Sequence, residues 1–184
     1  MNVIAQYLYG PFPIIELSDV VLRELTDEDA DNYFNYMSKA EMRAFVTKAN
    51  IPETVDQALK EVRYWRSLFH NKLSFYWAIA LKSTDQLIGT AGFNIISYQN
   101  LRAEISYDLD YNFWNKGIML KSIKAILNFA DILGIIRIQA TVTAYNQRSV
   151  KLLERCGFAQ EGLLRKYEVV DGAHRDYYMY AKVR

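Results

Sequence analysis

The stretch from residue 102 to residue 143 constrains the fold more than any other. "RAEISYDLD" alternates: Ala103, Ile105, Tyr107 and Leu109 fall on one face, and Arg102, Glu104, Ser106 and Asp108 on the other. A loop with a lone glycine, "NFWNKG", comes next. It runs into a mostly apolar segment whose polar residues Lys121, Lys124, Asn128 and Asp131 form one narrow stripe. A helix over 117–133 with so narrow a polar stripe must be covered over most of its surface. "IIRIQATVT" (135–143) then reads as a strand. Strand, covered helix and strand in that order imply a parallel crossover inside a mixed sheet.

The flanks extend this reading. "VVLREL" (20–25), 74–81 and 87–98 read as strands, and short turns join the last two to 102–110 in an antiparallel meander. Thr26 with Asp29 forms a capping box for a helix reaching about Ser38, and a shorter helix is expected over 40–46. Pro52 marks the start of an amphipathic helix with apolar residues at 55, 58, 59, 62, 65, 68 and 69. Asn146 caps a helix that runs to Cys156, and Gly157 stops it. Two long strands follow, joined by Asp171-Gly172, a hairpin signal. Residues 1–19 hold Pro11 and Pro13 and read as an extended lead-in with strand character. The expected fold is therefore α/β (α+β): one domain over 1–184, with a mixed, mostly antiparallel sheet of about seven strands and helices on both faces.

Bulk properties exclude several classes. The net charge of +1 gives no general field for nucleic acid or an anionic membrane. No apolar run reaches the ~18 residues of a membrane span, and no signal peptide is evident. One cysteine permits no internal disulfide and fits a cytoplasmic, reducing location. With one cysteine and two separated histidines, no metal site is expected.

The loop carries the chemistry. Where a strand feeds a helix, several N–H groups lack partners and the helix dipole adds positive charge. Such a place binds phosphate, and a glycine lets backbone approach the anion. Asn115, Lys116, Gly117, Ile118 and Met119 make up that loop, and Lys121 adds charge. The plain alternative is that Gly117 only ends a loop. It is neither a P-loop nor a dinucleotide fingerprint.

"AEISYDLD", "FWNKGIMLKS" and "NQRSVKLLERCGF", in this order and spacing, resemble the GNAT superfamily of acetyl-CoA-dependent N-acetyltransferases. The branch most resembled acetylates the N-termini of ribosomal proteins. The resemblance covers roughly residues 20–183. In the family's phosphate loop, Arg/Gln-x-x-Gly-x-Gly/Ala, the three places hold Trp114, Gly117 and Met119, so only the central glycine is strictly kept.

The resemblance implies acetyl-CoA as donor and an amine as acceptor, the candidates being a ribosomal or other protein N-terminus. It implies that Asn146 contacts the pantetheine arm, although a plain N-cap is its ordinary role. It implies an oxyanion donor among the backbone N–H groups from Tyr107 to Leu109. Glu104 is the candidate base, directly or through water; a surface carboxylate paired with Arg102 is the alternative. Leu153 stands where many members have an acidic tyrosine, so Ser149 is named as substitute. Phe45 is expected to meet the acceptor. Arg148 and Lys151, on the first turns of the helix that Asn146 caps, either meet the nucleotide phosphates or form a solvated face, the second being favoured, and Cys156 reads as packing. A small-amine (polyamine or aminoglycoside) transferase and a non-catalytic acyl-CoA-binding module are the competing functions. The sheet edge and the last hairpin could support a homodimer.

Overall fold

The computed structural model describes residues 3–170 and 172–184. Its strands are β1 (Ile15–Glu16), β2 (Val20–Arg23), β3 (Tyr76–Leu81), β4 (Leu87–Ser97), β5 (Arg102–Leu109), β6 (Arg137–Thr143), β7 (Ala159–Val170) and β8 (Ala173–Val183). Among the described residues they form one eight-stranded sheet, in the order β1-β2-β3-β4-β5-β6-β8-β7. Every neighbouring pair is antiparallel except β5 with β6. That parallel pair is the crossover expected from residues 102–143.

The helices cover both faces. On one side lie α1 (Val3–Tyr9), α5 (Ile118–Ile132) and α6 (Gln147–Arg155), packed with Trp77, Phe93, Ile105 and Ile138 of the sheet. On the other lie α2 (Ala30–Met37), the single turn α3 (Ala40–Arg43) and α4 (Val55–His70), packed with Tyr76, Ala78 and Leu87. Of α5, Ile123, Ile126 and Ala130 are fully enclosed, as its narrow polar stripe requires.

Three expectations are corrected. The lead-in is not simply extended: α1 buries Ile4 and Leu8, an i,i+4 pair, against the sheet. Trp77 Nε1 donates to Pro13 O at 2.7 Å and fastens the segment after it. The strand character expected of the lead-in is seen in β1, which brings the sheet to eight strands rather than about seven. Finally, α4 begins at Val55, later than Pro52, because Thr54 Oγ1 accepts the Gln57 N–H at 3.2 Å and caps it. The capping contact expected after Thr26 is present, with Asp29 Oδ2 accepting the Thr26 N–H at 2.9 Å, and it opens a 3₁₀ turn before α2. Asp171 of the hairpin turn lies outside the described residues. Its neighbour Gly172 has φ 71°, as a tight hairpin turn demands.

Candidate active site

The site begins where β5 and β6 part. They pair only at Arg102 with Arg137, Ala103 with Ile138 and Glu104 with Gln139. Beyond this, β5 stays on β4 as far as Leu109 opposite Gly89, while β6 follows β8 to Thr143 opposite Tyr177. The far half of β5 therefore has an open edge. Asp110 N donates back to Ile88 O at 2.8 Å. Backbone groups alternate along a strand, so the N–H groups of Tyr107 and Leu109 point away from β4, into the gap.

A cleft of about 380 Å³ fills that gap. Tyr107, Asp108 and Leu109 form its floor. The loop Trp114, Asn115 and Gly117, with Ile118 and Met119 behind it, forms one side. Asn146, Arg148, Ser149 and Lys151 form the other, and Met42, Phe45 and Val46 close one end.

The loop is held by specific contacts. Trp114 Nε1 donates to Leu109 O at 2.7 Å, tying the loop to the end of β5. Lys39 Nζ donates to Asp110 Oδ1 at 2.6 Å. Asn115 and Gly117 are both left-handed, with φ 61° and 76°. A Cβ built on Gly117 meets nothing within 4 Å, so open space lies where an anion would approach. The first turn of α5 has no side-chain cap and no acid. Its N–H groups thus face the cleft with no side-chain cap and no repelling charge, a fit for phosphate.

Two expected cations lie elsewhere. Lys116 and Lys121 do not line the cleft. The Lys116 ammonium sits 4.9 Å from the Phe113 ring centroid. Lys121 Nζ donates to Ser18 Oγ at 2.9 Å and pairs with Asp19 at 3.4 Å. Positive charge comes instead from α6, on residues that read from the sequence as a solvated face. Arg148 stacks over Trp114, 4.8 Å from the ring centroid, and Lys151 lines the same wall.

Asn146 Oδ1 accepts the Ser149 N–H at 3.1 Å, so the N-cap role is real. Ser149 Oγ lies 2.7 Å from the Tyr107 hydroxyl. Burial pushes the Tyr107 phenol well above its ordinary range, while the Ser149 bond pulls it down. Leu153 is fully buried. A phenol nevertheless reaches the site from a different element, Tyr107 of β5. The alternation of β5 assigned Tyr107 a face but not this partner.

Phe45 stacks on Tyr145, with centroids 6.0 Å apart and planes at 27°, and leans on Trp114 at 6.2 Å. Tyr145 OH donates to Ala44 O at 2.9 Å and closes this aromatic roof. Glu104 is not among the lining residues. It sits where the strands meet, with Oε2 accepting from Gln139 Nε2 at 3.2 Å. Asp108, which the sequence reading left unassigned, lines the cleft. Tyr36 OH donates to its Oδ1 at 2.6 Å, and Thr90 donates from Oγ1 to Oδ2 at 2.7 Å and from N to Oδ1 at 3.2 Å. Cys156 is buried, and burial pushes its thiol up, as suits packing.

Residues 19–159 match the Acetyltransferase (GNAT) domain family. The chain belongs to the GNAT acetyltransferases. Uncharacterized N-acetyltransferase YoaA of Bacillus subtilis (strain 168) is 33% identical over 174 residues, 94% of this chain and 98% of that protein. The [Ribosomal protein uS5]-alanine N-acetyltransferase of Escherichia coli (strain K12) is 30% identical over 116 residues, 61% of this chain and 60% of that one. The solved structure of RimL, a ribosomal L7/L12 alpha-N-protein acetyltransferase in complex with coenzyme A, superposes with TM-score 0.85 at 24% identity, over 93% of this chain and 98% of that one. That last likeness is one of fold.

This acetyltransferase is thus an acetyl-CoA-dependent N-acetyltransferase. The open amides of the loop, the cationic wall and the exposed β5 edge fit the phosphates and the amide-bearing arm of that donor. Among the described residues no helix is long and apolar enough to cross a membrane. No group of three or more metal-binding side chains occurs among them either.

Proposed function

We propose that the acceptor is a single protein N-terminal α-amine, acting in the cytoplasm, and that a ribosomal protein is its class. The observation that carries this is the charge of the cleft: its lining holds one carboxylate, Asp108, against Arg148, Lys151 and Arg155. A polyamine or aminoglycoside carries several ammonium groups and would find a single carboxylate in that lining to pair with, the cations being matched by the donor's phosphates. A chain end brings one, at a pKa near ~8, of which roughly a tenth is already neutral at pH 7. The E. coli relative that acetylates a ribosomal-protein alanine supports the same class.

The bound donor supplies an activated acetyl carbon as a thioester. Gly117, Ile118 and Met119 would hold its phosphates by backbone N–H groups, with Arg148 and Lys151 adding charge. The Asn146 amide would donate to the arm while its Oδ1 caps α6. The outward N–H groups of Tyr107 and Leu109 would polarise the carbonyl. The Ser149 hydroxyl, bonded to the Tyr107 phenol, is the proton donor for the departing sulfur. Glu104, outside the lining, is the candidate base acting through water. Phe45 would flank the acceptor.

The test is a panel followed by thiol release. It comprises peptides with free Ala or Ser N-termini, the same peptides N-blocked but carrying lysine, spermidine, and an aminoglycoside. Acetyl located by mass spectrometry on the α-amine alone is the expected result. Preferential turnover of spermidine or the aminoglycoside would overturn the reading.

A further inference from the structure

Asp108 is a carboxylate with three donors and no cation. Its hydrogen bonds come from Tyr36 and Thr90. Among the described residues no Lys, Arg or His lies within ion-pair distance of it. The nearby Lys39 is taken by Asp110. The other titratable groups facing it are phenols: Tyr33 and Tyr36 from α2 and Tyr76 from β3. All three are held neutral, chiefly by burial. A carboxylate drawn from water without a counter-charge is costly. Removal from water raises the pKa of Asp108, while the Tyr36 and Thr90 bonds work against that rise.

Position gives the group a use. Asp108 stands between the two residues, Tyr107 and Leu109, whose N–H groups enter the gap, and its side chain lies on the opposite face from that of Tyr107. We propose that Asp108 is the counter-ion and proton acceptor for the incoming ammonium. The ammonium R–NH₃⁺ pairs with the Asp108 carboxylate and gives it one proton. The neutral amine then forms the new C–N bond as the C–S bond breaks. The second N–H proton leaves to the sulfur through Ser149, and Asp108 returns its proton to solvent water, the water on which Glu104 acts as base. In sum, R–NH₃⁺ and the thioester give the amide, the free thiol and one proton. The inference needs an amine acceptor but not a protein one.

The test uses the full chain with n-butylamine and, separately, a Ser-initiated hexapeptide. In the wild type, kcat/KM for the amine should be bell-shaped, rising through the Asp108 pKa and falling above that of the ammonium. Asp108→Asn keeps the hydrogen-bond geometry, with Oδ1 accepting from Tyr36 and the Thr90 N–H and Nδ2 meeting Thr90 Oγ1. It should lower kcat/KM ~100-fold, leave the acetyl-CoA Kd unchanged, and convert the bell into a simple rise with the amine's own pKa. Tyr36→Phe removes a donor from the carboxylate, so the acid limb should move to higher pH. A purely structural role would lower the Tm of that variant and leave the limb in place.

A binding arm needs no turnover. In ¹³C-aspartate-labelled protein with CoA, the carboxyl resonance lost in Asp108→Asn should shift with butylammonium and stay still with butanol. An unmoved resonance, or an Asp108→Asn profile that stays bell-shaped within twofold of wild type, overturns the proposal. Acetylation of butylamine but not the hexapeptide would remove the α-amine reading and leave Asp108 supported.

Discussion

β5 carries two carboxylates on one face, and its two ends treat them differently. At the joined end, Glu104 lies beside β6 and shares a hydrogen bond with Gln139 across the parallel pair. At the parted end, Asp108 faces the cleft, gripped by Tyr36 and Thr90 from its other side. The residue types and the face are alike. The neighbour strand is what differs: present beside Glu104, withdrawn beside Asp108. A strand pair that opens part-way thus makes a polar site without any change in local pattern. The open half also frees two backbone donors, which a closed sheet would have used in its ladder.

The predictions probe this contrast, the largest effect first. Gly117→Val should weaken acetyl-CoA binding ~100-fold, since a β-branched residue at φ 76° is strained and its Cβ enters the anion's approach; calorimetric titration checks it, and normal affinity would remove the loop from the phosphate site. Ser149→Ala should lower kcat by ~10- to 100-fold with little change in acetyl-CoA Kd. If only the Kd changed, Ser149 would belong to binding.

Glu104→Gln should cost less, ~10-fold in kcat with acetyl-CoA affinity intact. An unchanged pH profile and turnover would take the joined end out of the chemistry and leave the parted end alone. Asp108→Asn should raise Tm at pH 7 while lowering activity. The folded-state pKa of Asp108 is raised, so its contribution to stability is present below the unfolded value near ~3.9 and lost as pH rises through the folded one. The gain should therefore vanish in acid, and melting curves across pH read it. Smallest of all, Lys121→Ala should change acetyl-CoA Kd less than ~2-fold, because that ammonium is exposed beside Asp19.

Much of the fold was legible because it rests on local pattern. The alternation of 102–110, the narrow polar stripe of 117–133 and the caps at Thr26 and Asn146 each depend on residues a few places apart. What escaped had weak local signals. Helix α1 is one short stretch beside two prolines, and its stability comes from the sheet it covers. β1 has only two residues. Arg148 looked solvated because its partner, Trp114, belongs to a different element.

The sequence by itself determined the order of elements from β2 onward, the family, the glycine loop and the absence of a phenol at Leu153. Only the tertiary structure decided which side chains converge. Tyr107 meets Ser149 across 42 residues, and Tyr36 meets Asp108 across 72. Periodicity assigns a residue to a face, but it cannot say where two strands separate. That depends on which partner each strand keeps, β4 for β5 and β8 for β6, and so on the packing of the whole sheet.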